Sequence, residues 1–242
     1  MKLGLCQMPV TASQQENHAA MRRYVRDAAA AGCDLVVLPE MWCCPYDNAA
    51  FADYAEPQGG QTWQLLRDTA RECCVWLVAG SVPERDGDAI YNTCYVFDPQ
   101  GTQQAKHRKV HLFDIDVAGG QRFFESDTLS PGQHYTLFDT PFGKVGVAIC
   151  FDVRFAELFR ILALEGARLI VVPAAFNMTT GPAHGSCCFA RGHWITSAFV
   201  PAVLRRGTRQ RAMSPMHIRS CVTRGACAGT DWCSAGAADL RH

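Results

Sequence analysis

Three residues of this chain have the types that an amide-cleaving site needs. Each stands at or just beyond the end of an apolar or extended stretch. Glu40 follows Asp34-Leu35-Val36-Val37-Leu38-Pro39, Lys109 lies in His107-Arg108-Lys109-Val110-His111, and Cys150 follows Gly146-Val147-Ala148-Ile149. A thiolate attacks a carbonyl carbon and forms a thioester that water then cleaves. A carboxylate beside the thiol takes its proton and later delivers it to a departing amine. An ammonium near both holds the thiolate and stabilises the oxyanion of a tetrahedral intermediate. The combination suits hydrolysis of an amide-type C–N bond. Taken singly, each residue has a plainer explanation: Cys150 as a small core residue, Glu40 as a helix-edge carboxylate, Lys109 as a solvated charge in a basic run.

The elements that would position them follow from periodicity. Lys2 to Gln7 reads as a first strand, ended by Pro9, and Gln14 to Ala31 as a helix stopped by Gly32. Asp34 to Pro39 reads as a buried strand, Thr62 to Cys73 as a helix, and Trp76 to Gly80 and Tyr91 to Phe97 as strands. Gly146 to Ile149 reads as a buried strand after the turn Pro141-Phe142-Gly143. Ala156 to Gly166 reads as a helix and Arg168 to Pro173 as one more strand. This alternation implies an α/β layered domain, and short, fully apolar strands imply sheets covered on both faces. Reacting groups are usually held at strand ends in such domains.

With 242 residues, 48% hydrophobic and 19% charged, the chain is long enough for one large domain with a sizeable core. The N-terminal apolar run is too short for a signal peptide, and no stretch is long enough to span a membrane. A cytoplasmic protein is the expectation, with a mitochondrial location left open. Thirteen Cys lack the spacing of a zinc site, and Cys43-Cys44, Cys73-Cys74 and Cys187-Cys188 are adjacent pairs rather than CxxC. Most therefore read as buried thiols in a reducing compartment, not as a metal or redox centre.

Leu38-Pro39-Glu40, His107-Arg108-Lys109-Val110-His111-Leu112 and Ile149-Cys150-Phe151-Asp152-Val153-Arg154-Phe155-Ala156-Glu157 resemble, in order and spacing, the three motifs of the nitrilase superfamily of carbon–nitrogen hydrolases. The resemblance covers Met1 to His184. It implies a four-layer α-β-β-α sandwich with Glu40 as general base, Lys109 as oxyanion stabiliser and Cys150 as nucleophile. It implies a second carboxylate at Glu125, no metal or organic cofactor, a small amide and water as reactants, and a homodimer. Neither nucleic acid nor membrane is an implied partner. Met41 to Asp47, His111 to Val117 and Phe176 to His184 resemble the omega-amidase branch, whose substrates are 2-oxoglutaramate and 2-oxosuccinamate. On that resemblance Tyr46, Phe176 and Thr180 line the substrate pocket. A short diacid monoamide needs a cation for its distal carboxylate, and Arg154, four residues after the nucleophile, is the candidate; the competing role is an ion pair with Asp152 or Glu157. Other amidases, carbamoyl-amide hydrolases or a family member without activity are the alternatives.

The net charge of zero hides an asymmetry. From Gly185 onward there are eight Arg, no Lys and two Asp, a balance of +6, against 15 basic and 21 acidic residues before it. A basic tail suggests a nucleic-acid partner, but the segment also departs from the family pattern. The family continues after Pro-Ala-His with Trp-Glu-Leu-Leu, then Arg-Ala-Leu-Asp-Asn-Gln and later Asp-Pro-Trp-Gly. A one-base shift of back-translated codons recovers pieces of these in order. The expectation is that residues 1–184 form the hydrolase domain and that 185–242 is an out-of-frame remainder lacking the last strands of the sandwich.

Overall fold

The structure, a computed structural model, describes residues 1–118, 121–176, 198–205 and 238–239. Its first half runs β1 (Lys2–Leu5), α1 (Gln14–Ala30), β2 (Leu35–Val37), α2 (Asn48–Asp53), α3 (Gln61–Cys73), β3 (Trp76–Val78), β4 (Val82–Asp86), β5 (Ala89–Phe97) and β6 (Gln103–Arg108). A short hairpin of β7 (Asp114–Asp116) and β8 (Arg122–Phe124) follows. The second half has β9 (Thr136–Thr140), β10 (Gly143–Val147), α4 (Ala156–Leu164), β11 (Leu169–Ala174), β12 (Ala202–Leu204) and β13 (Ala238–Asp239).

Two sheets result. The first has the order β13-β1-β2-β3-β5-β4, with β6 paired to β5; the second has the order β12-β11-β10-β9. In the first, β1, β2 and β3 are parallel, and Leu3 is in register with Leu35 and Leu35 with Trp76. In the second, β10 runs parallel to β11 and antiparallel to β9.

Side-chain alternation builds the layers. Val36, Leu38 and Leu77 point outward and meet Met21 and Val25 of α1 and Leu66 and Ala70 of α3. Leu35, Val37, Val78 and Val96 point inward and meet Phe138, Val145, Val147, Leu169 and Val171 of the second sheet. Ile170 and Val172, on that sheet's far face, are covered by Leu158, Phe159 and Leu162 of α4. The order is helix, sheet, sheet, helix, the α-β-β-α sandwich expected from the resemblance. Helix ends follow local chemistry. Ser13 caps α1 by accepting from the Glu16 amide at 3.3 Å. Beyond its other end, Gly32 takes a φ of 77° that disfavours any other residue.

The tail corrects one expectation. Ala202–Leu204 pairs in parallel with β11, and Ala238–Asp239 pairs antiparallel with β1, so residues after 184 do add strands to both sheets. The composition of the whole tail, dominated by Arg, masks the uncharged run Ala198-Phe199-Val200-Pro201-Ala202-Val203-Leu204. Within it, Ala198, Val200 and Ala202 join the α4 layer and Val203 the layer between the sheets. Burial of such a run is favourable whatever lies beyond it. The thiols behave as expected: the eight cysteines among the described residues are free, six of them buried. Among the described residues no helix is long and apolar enough to cross a membrane.

Candidate active site

Glu40 follows the C-terminal end of β2, at the centre of the first sheet, and Lys109 follows β6 at the same sheet's margin. Cys150 follows β10 of the second sheet. Their meeting point therefore lies between the sheets. The loop bearing Glu40 is pinned from the next strand: the Met41 amide donates to Ser81 Oγ at 3.0 Å and the Trp42 indole to the Ala79 carbonyl at 2.8 Å. Gly80 permits this, since a Cβ there would lie 2.1 Å from the Pro39 carbonyl oxygen. Lys109 is held by its own backbone, its amide donating to Asn92 O and its carbonyl accepting from Gly132 N, both at 2.8 Å.

The side chains converge without exposure to solvent. Lys109 Nζ donates to Glu40 Oε1 at 2.8 Å and to Glu125 Oε1 at 3.0 Å. Glu125 Oε2 accepts from the Phe113 amide at 2.7 Å. Tyr46 Oη donates to Glu125 Oε1, and lies 3.2 Å from Glu40 Oε1. Asn92 Nδ2 donates to that same Glu40 oxygen at 2.9 Å. Lys109 and Asn92 thus both donate to Oε1, with the Tyr46 oxygen beside it, while Oε2 of Glu40 is buried and has no hydrogen-bond partner among the described residues. Burial works against the charge on Lys109, but Glu125 and Glu40 outweigh it and hold its pKa above the ordinary value. Burial, with the Glu40 charge adding to it, raises the pKa of Glu125 although Lys109 opposes. Glu125 Oε2 also lies 2.9 Å from Lys109 Nζ, so the ammonium sits against three carboxylate oxygens.

Cys150 is 5% exposed and has a φ of 46°. Met41, next to Glu40, has a φ of 47°. A left-handed residue other than glycine costs about 1–3 kcal/mol and persists only where its surroundings over-determine it. One expectation changes here. Base and cation do not lower the thiol's pKa: burial first, then the charge of Glu40, push it well above its ordinary value, against the smaller pull of Lys109 and a backbone hydrogen bond from Ala175. Burial likewise pushes the Cys6 thiol up to about 12. Cys150 differs from Cys6 in having the Glu40 carboxylate and the Lys109 ammonium as neighbours. Burial thus favours the neutral thiol here.

Of the residues expected at the site, Glu40, Lys109, Glu125, Cys150 and Tyr46 come together. Arg154 lies on the 3-10 helix Cys150–Arg154, exposed, its guanidinium 5.3 Å from the Phe151 ring. Among the described residues it makes no ion pair with Asp152 or Glu157; Asp152 is engaged by His111. Phe176 packs, half-buried, where the inter-sheet layer meets the α4 layer. Thr180 lies outside the described residues. A cavity of about 290 Å³ lined by Tyr91, Lys106, Arg108, Gln133 and His134 is separate from the triad, and its two cations are engaged by Glu84.

Two neighbours were not read from the sequence. Asn92 was detectable, because an amide inside the apolar run Tyr91 to Phe97 must find a partner when buried. Arg205, 9% exposed, donates to the Cys44 carbonyl at 2.8 Å and stands 5.9 Å from the Tyr46 ring. Nothing local marks it out from the seven other arginines after Gly185. Among the described residues no cluster of His, Cys, Asp or Glu could hold a metal ion.

The chain is similar to known proteins along most of its length. It is 51% identical over 183 residues to an omega-amidase NIT2 of Danio rerio and 48% identical over 183 residues to that of Homo sapiens. Each alignment covers 76% of this chain and 66% of the relative, so the matched part spans just under two thirds of those proteins. The structure superposes on Saccharomyces cerevisiae Nit3, a member of branch 10 of the nitrilase superfamily, with a TM-score of 0.81 and 32% identity, over 89% of this chain and 79% of that one. A family model, carbon-nitrogen hydrolase, matches residues 2–231, and the chain belongs to that family.

Proposed function

We propose that the chain is an amidase that cleaves a short amide through a Cys150 thioester, with 2-oxoglutaramate and 2-oxosuccinamate as its substrates. The observation that carries this is the buried Oε2 of Glu40, without a hydrogen-bond partner among the described residues, on a carboxylate that neighbours the Cys150 thiol. It is a lone pair ready for one proton. Cys150 Sγ attacks the amide carbon as its proton passes to Glu40, and the carbonyl oxygen becomes an oxyanion facing Lys109. Glu40 returns the proton to the nitrogen, the C–N bond breaks, and ammonia leaves. Water then attacks the thioester with Glu40 again as base, releasing the acid and the thiol. Glu125 and Tyr46 hold Lys109 and Glu40 in place throughout.

The substrate rests on relatives named omega-amidase and on Arg154, four residues after Cys150 in the chain and with no carboxylate partner among the described residues. Such a cation matches the distal carboxylate of a diacid monoamide. Arg154→Ala is expected to weaken kcat/KM on 2-oxoglutaramate by about 1.5–3 kcal/mol, the scale of a hydrogen bond to a charged group. Uncharged short amides should change little. Steady-state ammonia release on both substrate types decides; equal losses would assign Arg154 a structural role. Turnover of a nitrile or a carbamoyl amino acid, with none of 2-oxoglutaramate, would overturn the substrate assignment.

A further inference from the structure

Asp152 is a fully buried carboxylate that takes no part in the chemistry above, yet it lies two residues from the nucleophile. Its Oδ2 accepts from the Ile149 amide at 2.9 Å, and its own amide donates to the Ile149 carbonyl at 3.0 Å. The residue just before Cys150 is therefore gripped from both sides. Its Oδ1 reaches the other sheet's contribution to the site, accepting from His111 N at 2.9 Å and from His111 Nδ1 at 2.7 Å. His107 Nε2 stands 3.6 Å from Oδ2, and His107 Nδ1 is 3.0 Å from Thr136 Oγ1. His107 and His111 lie two residues to either side of Lys109. The His111 ring also stacks on Phe155 at 3.5 Å and 7°, which fixes the direction of Nδ1.

We propose that Asp152 is a positioning residue that ties the left-handed elbow of Cys150 to the segment carrying Lys109, so that nucleophile and cation are held in one frame. A buried anion without partners is costly, and among the described residues this one is satisfied by groups belonging to those two segments. Its double hold on Ile149 supplies the over-determination that a left-handed Cys150 needs. Asparagine in its place has a single accepting oxygen, and must release either the elbow or His111.

The proposal rests on Cys150 being the nucleophile, and its test has one arm independent of any amide substrate. The full chain and its variants are treated with iodoacetamide, and the alkylation rate of Cys150 is followed by peptide mass, beside kcat and KM for 2-oxoglutaramate. Asp152→Asn should lower both the alkylation rate and kcat by roughly 30- to 100-fold, the scale of a misplaced reacting group, with KM within about threefold. His111→Asn keeps a donor where Nδ1 stands but loses the ring; His111→Phe keeps the ring but loses the donor. The first should stay within about threefold of the parent and the second fall about tenfold. The reverse order would make His111 a packing residue and overturn the proposal, as would a folded Asp152→Asn chain with unchanged Cys150 alkylation. If Asp152→Asn does not fold, the two His111 variants decide. A parent that alkylates rapidly at Cys150 but hydrolyses no amide would count against the amidase assignment while leaving the brace testable.

Discussion

Cys150→Ala is expected to abolish amide turnover, by on the order of 10⁵- to 10⁶-fold, the scale on which removal of a nucleophile acts when the other groups work as a unit with it. Stability should barely move. The side chain lost is one sulfur atom, and alanine inherits the same left-handed backbone strain. Ammonia release measured beside a thermal unfolding midpoint separates the two quantities. Retained hydrolysis in a folded Cys150→Ala chain would remove Cys150 from the role of nucleophile and the thioester with it.

Lys109→Met should have the opposite profile on stability, a loss of about 3–5 kcal/mol, because it leaves two buried carboxylates with no ammonium between them. The sign of the pH dependence follows from the shifts. Lys109 has a raised pKa, so its contribution is complete below the ordinary value of 10.5 and is lost only in strong alkali. Across neutrality it adds no slope. Glu125 is a carboxylate with a raised pKa. The folded state therefore favours its protonated form, a contribution present below 4.5 and lost as pH rises through the folded value. Without Lys109 that folded value moves higher still. The penalty of Lys109→Met should accordingly grow as pH rises above 4.5. Urea unfolding at several pH values measures it, and a penalty under about 1 kcal/mol, or one independent of pH, would mean the carboxylates are relieved by water.

Glu40 and Cys150 were legible because they follow apolar stretches, whereas Lys109 follows a polar strand and stood out only through the His107-Arg108-Lys109-Val110-His111 motif. Leu35–Val37 and Leu169–Ala174 are fully buried, and their uninterrupted apolar character says so in sequence. Thr136–Thr140 was not read as a strand. It is a margin strand with only Phe138 fully buried, so its pattern is weak. Gln103–Arg108 was passed over for a related reason. Its polar side chains find partners across the fold, Lys106 and Arg108 on Glu84, and such pairing cannot be seen from spacing. Asp152 sat inside a quoted motif, but its work depends on two histidines more than forty residues away in the chain. For residues 185–242, the out-of-frame origin remains our proposal. It rests on the Arg-rich composition and on relatives that align over 183 residues, while the family model continues to residue 231. The nucleotide sequence around the codons for His184 and Gly185 tests it, and a confirmed gene with no in-frame alternative would end it.

The division of the site between two sheets has a consequence for the chain as it is being made. Glu40 and Lys109 emerge with the first sheet, Cys150 only with the second. Until the layer of Val37, Val96, Val147 and Val171 closes, the thiol has no base beside it and the base has no thiol. A half-made or half-open chain thus carries Cys150 with neither Glu40 nor Lys109 beside it. On the mechanism proposed above, a molecule that forms an acyl adduct is therefore one whose two sheets have already packed together.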